Sequence, residues 1–231
     1  MDLKTILFDH ENFEYDFNRD LSKPNKWYFR LQPIAALLIK VKFSKFEVHG
    51  LENVPKDGSL ILAGNHVSGF DPIVAAYALR HTRELFFMAK DEHFRRFYTK
   101  IPLLILNGFP VKRGTADRAA VDYSIRVIKT GHGLVIFPQG TRDKENNRPE
   151  KGKSGVAMFA REAQSDVIPF SVNYDKSKSK KRPRVIIRFG QVIPYEELGF
   201  SEEVKSRELK EVTKKVMNEI ATLWDVEGKM E

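Results

Sequence analysis

The chain has 231 residues, of which 42% are hydrophobic, enough for a real core and too many for wholesale disorder. It contains no cysteine, which excludes disulfides, thiolate nucleophiles and cysteine-ligated zinc. A net charge of +8 favours anionic partners, among them phospholipid surfaces and phosphorylated substrates.

Residues 1–23 are polar and aromatic, lean acidic, and show no clear period. Residues 26–43 read as helical, with Pro33 kinking the helix or beginning it. Their aromatic and aliphatic residues, with Lys26, Arg30, Lys40 and Lys42, suit either an interfacial amphipathic element or a helix packed on the main core. Strands are expected at 46–50, 60–63, 84–89, 108–111, 133–137, 167–172 and 185–189. Helices are expected at 72–79, 115–130, 152–163 and 201–224, the last with Val204, Val212, Val216, Ile220 and Leu223 in one apolar stripe and Ser201 as its cap. Residues 101–106 are apolar, and the Lys/Ser run at 176–182 reads as a loop.

This alternation predicts an α/β fold, a central mostly parallel sheet flanked by helices, with an N-terminal amphipathic helical element. The expected organisation is an N-terminal helical membrane-association segment at 1–45 and an α/β domain at 46–231. No run approaches the ~18 consecutive apolar residues of a transmembrane helix. The acidic N-terminus lacks the layout of a signal peptide, so a peripheral place on the cytoplasmic face of a membrane is expected.

Four short stretches carry the chemistry. In the first, four residues separate His66 from Asp71, just beyond the apolar run Leu60–Ala63. A histidine that can take a proton and a carboxylate that can hold its ring are two parts of a proton-transfer triad. Asp71 precedes Pro72, a residue favoured in the first helical turn, so Asp71 is also expected as a helix N-cap. The second stretch, Gly108 to Gly114, places Lys112 and Arg113 at a strand end, where Arg can grip a phosphate bidentately. The third, Phe137-Pro138-Gln139-Gly140-Thr141-Arg142, is a strand entering a tight turn with an amide, a hydroxyl and a guanidinium. The fourth, Val167-Ile168-Pro169-Phe170, is an apolar strand, either structural or a wall for an apolar substrate. The remaining histidines have no metal-ligand spacing, and no metal or cofactor is expected.

In this order the four stretches resemble the glycerolipid acyltransferase family, and within it the 1-acylglycerol-3-phosphate (lysophosphatidic acid) acyltransferases, over roughly residues 46–190. Asn65, His66, Ser68 and Asp71 match the family's Asn-His-x-Ser-x-x-Asp pattern, and Lys112 and Arg113 match its second motif. Phe137, Pro138, Gly140, Thr141 and Arg142 match its Phe-Pro-Glu-Gly-Thr-Arg motif, with Gln139 in place of the acid.

The resemblance implies that His66 deprotonates the free hydroxyl of an acceptor while Asp71 fixes the ring. The hydroxyl then attacks the thioester of an acyl-CoA or acyl-carrier-protein. Lysophosphatidic acid is the implied acceptor and phosphatidic acid the product. Lys112, Arg113, Gln139, Gly140, Thr141 and Arg142 are the implied substrate-binding residues. Amides near Gly140 or Gly69 are candidates for steadying the oxyanion. A different acceptor, glycerol 3-phosphate or another lysolipid, and a non-catalytic membrane-binding role remain open. An anionic membrane surface is an expected partner. Nucleic acid is not, because the basic run at 176–184 lacks interleaved aromatics for base stacking.

Overall fold

The structure, a computed structural model, describes residues 14–226 except 113, 116, 144, 146, 150, 178 and 204. It opens with two short helices, α1 (Lys26–Arg30) and α2 (Gln32–Lys42), then alternates strands and helices. The strands are β1 (Lys45–His49), β2 (Leu60–Gly64), β3 (Leu85–Lys90), β4 (Gly108–Val111), β5 (Gly133–Ile136), β6 (Asp166–Asp175) and β7 (Arg184–Phe189). The remaining helices are α3 (Asp71–Ala78), α4 (Phe97–Ile105), α5 (Arg118–Lys129), α6 (Gly155–Ala163) and α7 (Ser206–Asp225). The expected strands all form. The apolar stretch 101–106 forms the second half of α4 and its C-cap, Leu106, with Leu104 buried.

The strands make one sheet in the order β1-β7-β6-β2-β5-β3-β4. Every neighbouring pair is parallel except β6 with β7. Parallel strands covered on both faces read as continuous apolar runs. Accordingly Leu60 and Leu62 of β2 enter one core while Ile61 and Ala63 enter the other. On the first face lie Tyr28, Ile39, Phe43, Val74, Ala75 and Leu79 from α1 to α3 and their flanks. On the opposite face lie Tyr123, Val127, Val156, Val216 and Ile220 from α5, α6 and α7. Residues before α1 add an aromatic patch, with Tyr15 against Phe109 and Tyr123.

The N-terminal element is two helices. Asn25 caps α1 through its side chain, the backbone breaks at Leu31, and Pro33 stands in the first turn of α2, where its missing N–H costs nothing. Tyr28, Ile39 and Phe43 dock this element on the domain, yet Ile34, Leu37, Leu38 and Val41 remain exposed, Val41 at 64%. So α2 packs on the core with one side and presents an aliphatic face with the other.

Two cap expectations are corrected. Ser201 does not cap α7, which begins at Ser206 after Lys205; the Ser201 hydroxyl instead bonds the Glu208 carboxylate. Asp71 is the first residue of α3 rather than its cap, which is Phe70, and its carboxylate turns back into the preceding loop.

Candidate active site

In open parallel sheets the crevice for a ligand lies beyond the carboxyl ends of the strands. The loops that follow β2 and β5 meet there, because these strands are neighbours running in one direction. Asn65 extends the ladder past the end of β2. Its side chain donates to the Val172 carbonyl at 2.9 Å and accepts from the Val172 N–H at 2.7 Å. A buried amide that mimics a strand backbone in this way sets where the next residue, His66, leaves the sheet.

The His66 loop is then held from two sides. Gln139, after β5, accepts a 2.8 Å hydrogen bond from the His66 N–H through Oε1, and the Asp143 N–H donates to the His66 carbonyl at 2.7 Å. Glutamine and glutamate both offer an acceptor here, so this contact tolerates the missing charge. The imidazole stacks on the Phe137 ring with centroids 4.3 Å apart and planes 19° from parallel. Phe137 in turn packs on Phe170, and the Phe170 ring occupies the space where a Cβ on Gly64 would stand, 2.3 Å from its nearest carbon. The fourth motif therefore supports the histidine from beneath.

Asp71 is fully buried and is the hub of the site. Its Oδ2 lies 2.7 Å from His66 Nδ1 and accepts from the N–H groups of Val67 at 2.7 Å and Ser68 at 2.8 Å. Its Oδ1 accepts from the Tyr174 hydroxyl at 2.5 Å. Four donors suit an ionised carboxylate, which can only accept. Burial first, and then the neighbouring Asp71 carboxylate, push the Tyr174 hydroxyl far above the ordinary tyrosine range. Tyr174 therefore remains a donor at any ordinary pH. With Nδ1 engaged by Asp71, the other ring nitrogen, Nε2, is the one able to take a proton from a ligand. The His66 side chain is 14% exposed.

The cations are spread along this end of the sheet. Arg142 reaches the His66–Asp71 loop, since a Cβ on Gly69 would lie 3.4 Å from its Nη1. Lys153 covers Gly140 at about 3 Å from where a Cβ would stand, and Gly140, at a φ of 73°, makes the close approach. The Gly140 N–H closes its own turn onto the Phe137 carbonyl, so it is not available as an oxyanion donor. Thr141 is exposed in the same turn. Lys112 sits at the end of β4, three strands from β2, with its N–H donated to Asp117. At about 4.8 Å per strand the backbones of β2 and β4 stand roughly 14 Å apart. Arg113 lies outside the described residues.

Tyr174, Phe137 and Lys153 were not singled out from sequence in these roles. Tyr174 shares the inward face of β6 with Phe170 and Val172, so a phenol ending a buried strand at the ligand end was the available signal. Among the described residues there is no group of three or more histidines and carboxylates able to hold a metal ion. Nor is any described helix long and apolar enough to cross a membrane.

Comparison with known proteins places this arrangement. The chain is 28% identical over 173 residues to the 1-acyl-sn-glycerol-3-phosphate acyltransferase of Streptococcus pneumoniae, covering 72% of this chain and 62% of that protein. It is 30% identical over 165 residues to the probable 1-acyl-sn-glycerol-3-phosphate acyltransferase of Mycoplasma pneumoniae, covering 69% of this chain and 61% of that one. The chain thus spans about three-fifths of the length of these curated relatives. The crystal structure of the 1-acyl-sn-glycerophosphate (LPA) acyltransferase PlsC from Thermotoga maritima shares the fold, with a TM-score of 0.66 and 22% identity over 98% of this chain and 88% of that one. The acyltransferase family model matches residues 45–173, more than half of the 231, and takes in the His66–Asp71 pair and its Tyr174-bearing strand up to residue 173; the chain belongs to the acyltransferase family.

Proposed function

We propose that the protein transfers a fatty acyl group from an acyl thioester, acyl-CoA or acyl-carrier-protein, to the free hydroxyl of 1-acylglycerol 3-phosphate, giving phosphatidic acid. The observation that carries this reading is the His66 Nδ1 to Asp71 bond of 2.7 Å, with Asp71 itself immobilised by three further donors. His66 Nε2 takes the hydroxyl proton as the oxygen attacks the thioester carbonyl carbon. A tetrahedral intermediate forms and collapses, the C–S bond breaks, and His66 returns the proton to the departing thiolate. The buried Asp71 carboxylate beside the ring stabilises the positive charge that the ring takes on with the proton.

Arg142 and Lys153 are the cations beside the His66 loop and are assigned to the acceptor phosphate. Lys112 and Arg113, the basic pair of the second motif, are assigned to the same phosphate, as the resemblance to the family implies. Gln139 and Gly140 act by shaping the turn and Thr141 by lining it.

The same reading places the protein on a membrane surface. The aliphatic face of α2 (Ile34, Leu37, Leu38 and Val41), flanked by Lys40 and Lys42, suits a helix lying in the headgroup region, with its other side docked on the domain. Acceptor and product are both amphiphiles, so an enzyme held there meets its substrate where it resides.

The test is acyl transfer by purified protein, with lysophosphatidic acid compared against glycerol 3-phosphate and other lysolipids, and with both donors. His66→Ala is expected to lose roughly 10²–10⁴-fold in turnover, the range of general-base catalysis. Full activity in that variant would sink the mechanism, and a preference for glycerol 3-phosphate would reassign the acceptor.

A further inference from the structure

A groove of about 780 Å³ runs between α2, the edge strand β1 and the C-terminal end of α3. None of the residues around His66 lines it. Its charged lining is Lys40, Lys45, Arg80 and Arg182, four cations with no carboxylate among the lining residues. Its floor is apolar and aromatic, with Phe46 and Tyr77 in edge contact at 5.1 Å. Four cations above such a floor form an amphipathic receptacle for a ligand with an anionic head and a hydrocarbon body.

Two of the cations are already held in place. The Arg80 guanidinium lies 4.1 Å from the Tyr77 ring centre and donates to the Tyr77 carbonyl at 2.8 Å. Arg182, from the β6–β7 turn, donates to the Lys40 and Phe43 carbonyls at the C-terminal end of α2. A guanidinium has five N–H donors, so one or two structural bonds leave others for a phosphate, and a fixed fork loses less entropy on binding. Lys45 is shared with Glu47 at 2.9 Å, which makes it the weakest contributor. Leu37 both lines the groove and stands in the exposed aliphatic face of α2, at 60% exposure. The groove therefore opens along the helix face assigned to the bilayer, and a volume of this size lies in the ordinary range of small-molecule sites.

We propose that this groove is a binding site for an anionic phospholipid of the bilayer, separate from the catalytic pair. The phosphate sits among Lys40, Arg80 and Arg182, and an acyl chain lies along Leu37, Phe46 and Tyr77. The proposal rests on the membrane-surface reading above. The groove also touches the site indirectly. Phe43 lines it and packs on Tyr174 with ring centres 5.7 Å apart, and Tyr174 donates to Asp71. A lipid seated against Phe43 thus steadies the support of the catalytic carboxylate.

Calorimetric titration of the full chain with dihexanoyl phosphatidylglycerol, kept below its micelle threshold, tests the site without a bilayer. Saturable single-site binding is expected, weakened about tenfold by Arg80→Glu and by Lys40→Glu. The double variant Lys210→Glu, Lys214→Glu, on the exposed side of α7 across the sheet, changes the charge more and is expected to bind as wild type. Lys40 lies on the exposed side of α2, so its variant does not depend on the Arg80–Tyr77 stack. An equal loss in the α7 variant would mean diffuse Coulomb attraction and overturn the site, as would the absence of saturable binding. A dimer that sedimentation shows to be broken by Arg80→Glu would assign the groove to a second copy of the chain and also overturn the proposal. Flotation on neutral phosphatidylcholine vesicles separates the two readings. Arg80→Glu floating as wild type while losing the monomeric anionic lipid supports the groove. Wild-type protein that fails to float defeats the membrane reading, and the titration still decides the groove.

Discussion

The Tyr174 hydroxyl donates to Asp71 at 2.5 Å across 103 residues of sequence, so the carboxylate beside the His66 ring is held by a strand from another part of the chain. Tyr174→Phe keeps the ring and its packing on Phe43 but removes this donor. A hydrogen bond to a charged group contributes about 1.5–3 kcal/mol, so kcat is expected to fall roughly tenfold or more. KM for both substrates is expected to hold, because Tyr174 touches the orienting carboxylate rather than a ligand. Steady-state kinetics with an unchanged kcat would remove Tyr174 from the catalytic support.

Gln139 replaces an acid with an amide yet keeps the acceptor that holds the His66 N–H. Gln139→Glu is therefore expected to turn over near the wild-type rate, whereas Gln139→Ala leaves that N–H without its acceptor. Losing a partner for a part-buried donor costs about 1–3 kcal/mol, and kcat is expected to drop about tenfold as the His66 loop loosens. Equal rates in the two variants would show that the contact does not matter.

Gly64 closes β2 where the Phe170 ring would meet any side chain. Gly64→Ala forces Phe170 aside and, with it, the Phe137 ring on which His66 stacks. Overpacking of this kind costs about 1–3 kcal/mol or more. Thermal unfolding is expected to show a lower Tm, accompanied by loss of activity. A variant as stable as wild type would show that the Phe170–Phe137–His66 stack has room to yield.

Glu47 on β1 is clamped to Arg184 on β7. Arg184 foremost, and Lys45 with it, hold the Glu47 carboxyl at about 2, below its ordinary 4.5 and against the effect of partial burial. A carboxyl depressed in the folded state stabilises above its unfolded pKa, and that contribution is lost as pH falls through the folded value. The Tm advantage of wild type over Glu47→Gln is therefore expected in full above pH 4.5 and gone by about pH 2. Melting curves taken down that range check it; an advantage that persists at the acid end would assign the effect to something other than the ion pair.

The aliphatic face of α2 gives the prediction for membrane contact. Burying one such side chain contributes about 1.5–3 kcal/mol. Leu38→Glu or Val41→Glu is therefore expected to weaken flotation on phosphatidylcholine vesicles by roughly tenfold or more, while activity on a soluble short-chain acceptor is maintained. Unchanged flotation would show that another surface makes the contact.

Much of this was legible in the sequence because the signals are local. Buried strands such as Leu60–Gly64 are continuous apolar runs, and α5 and α7 repeat their apolar residues at the helical period. His66 and Asp71 stand close in sequence and meet as expected. What was not legible depends on distant segments. Asp71 reads as a helix cap by its neighbour Pro72, but the carboxylate is drawn back by the Val67 and Ser68 N–H groups and by Tyr174. That Lys112 would stand at the end of the edge strand β4, three strands from β2, is set by the strand order and not by its neighbours in sequence. Of the two readings of residues 26–43, packing on the core is what Tyr28, Ile39 and Phe43 do, while Ile34, Leu37, Leu38 and Val41 stay exposed.

The single reversed pairing, β7 against β6, has a geometric outcome for the whole molecule. Because β1 follows β7 in direction, it runs opposite to β2, and it begins at the end of the sheet where β2 finishes. The helix that feeds β1 is thereby delivered to the rim that carries His66. In a fully parallel sheet, α2 would arrive at the opposite rim, a strand length of about 15 Å away. One change of strand polarity brings the exposed aliphatic face of α2 and the His66–Asp71 pair to a common edge, which under the proposed function lets a substrate with its tails in a bilayer present its hydroxyl without leaving the lipid.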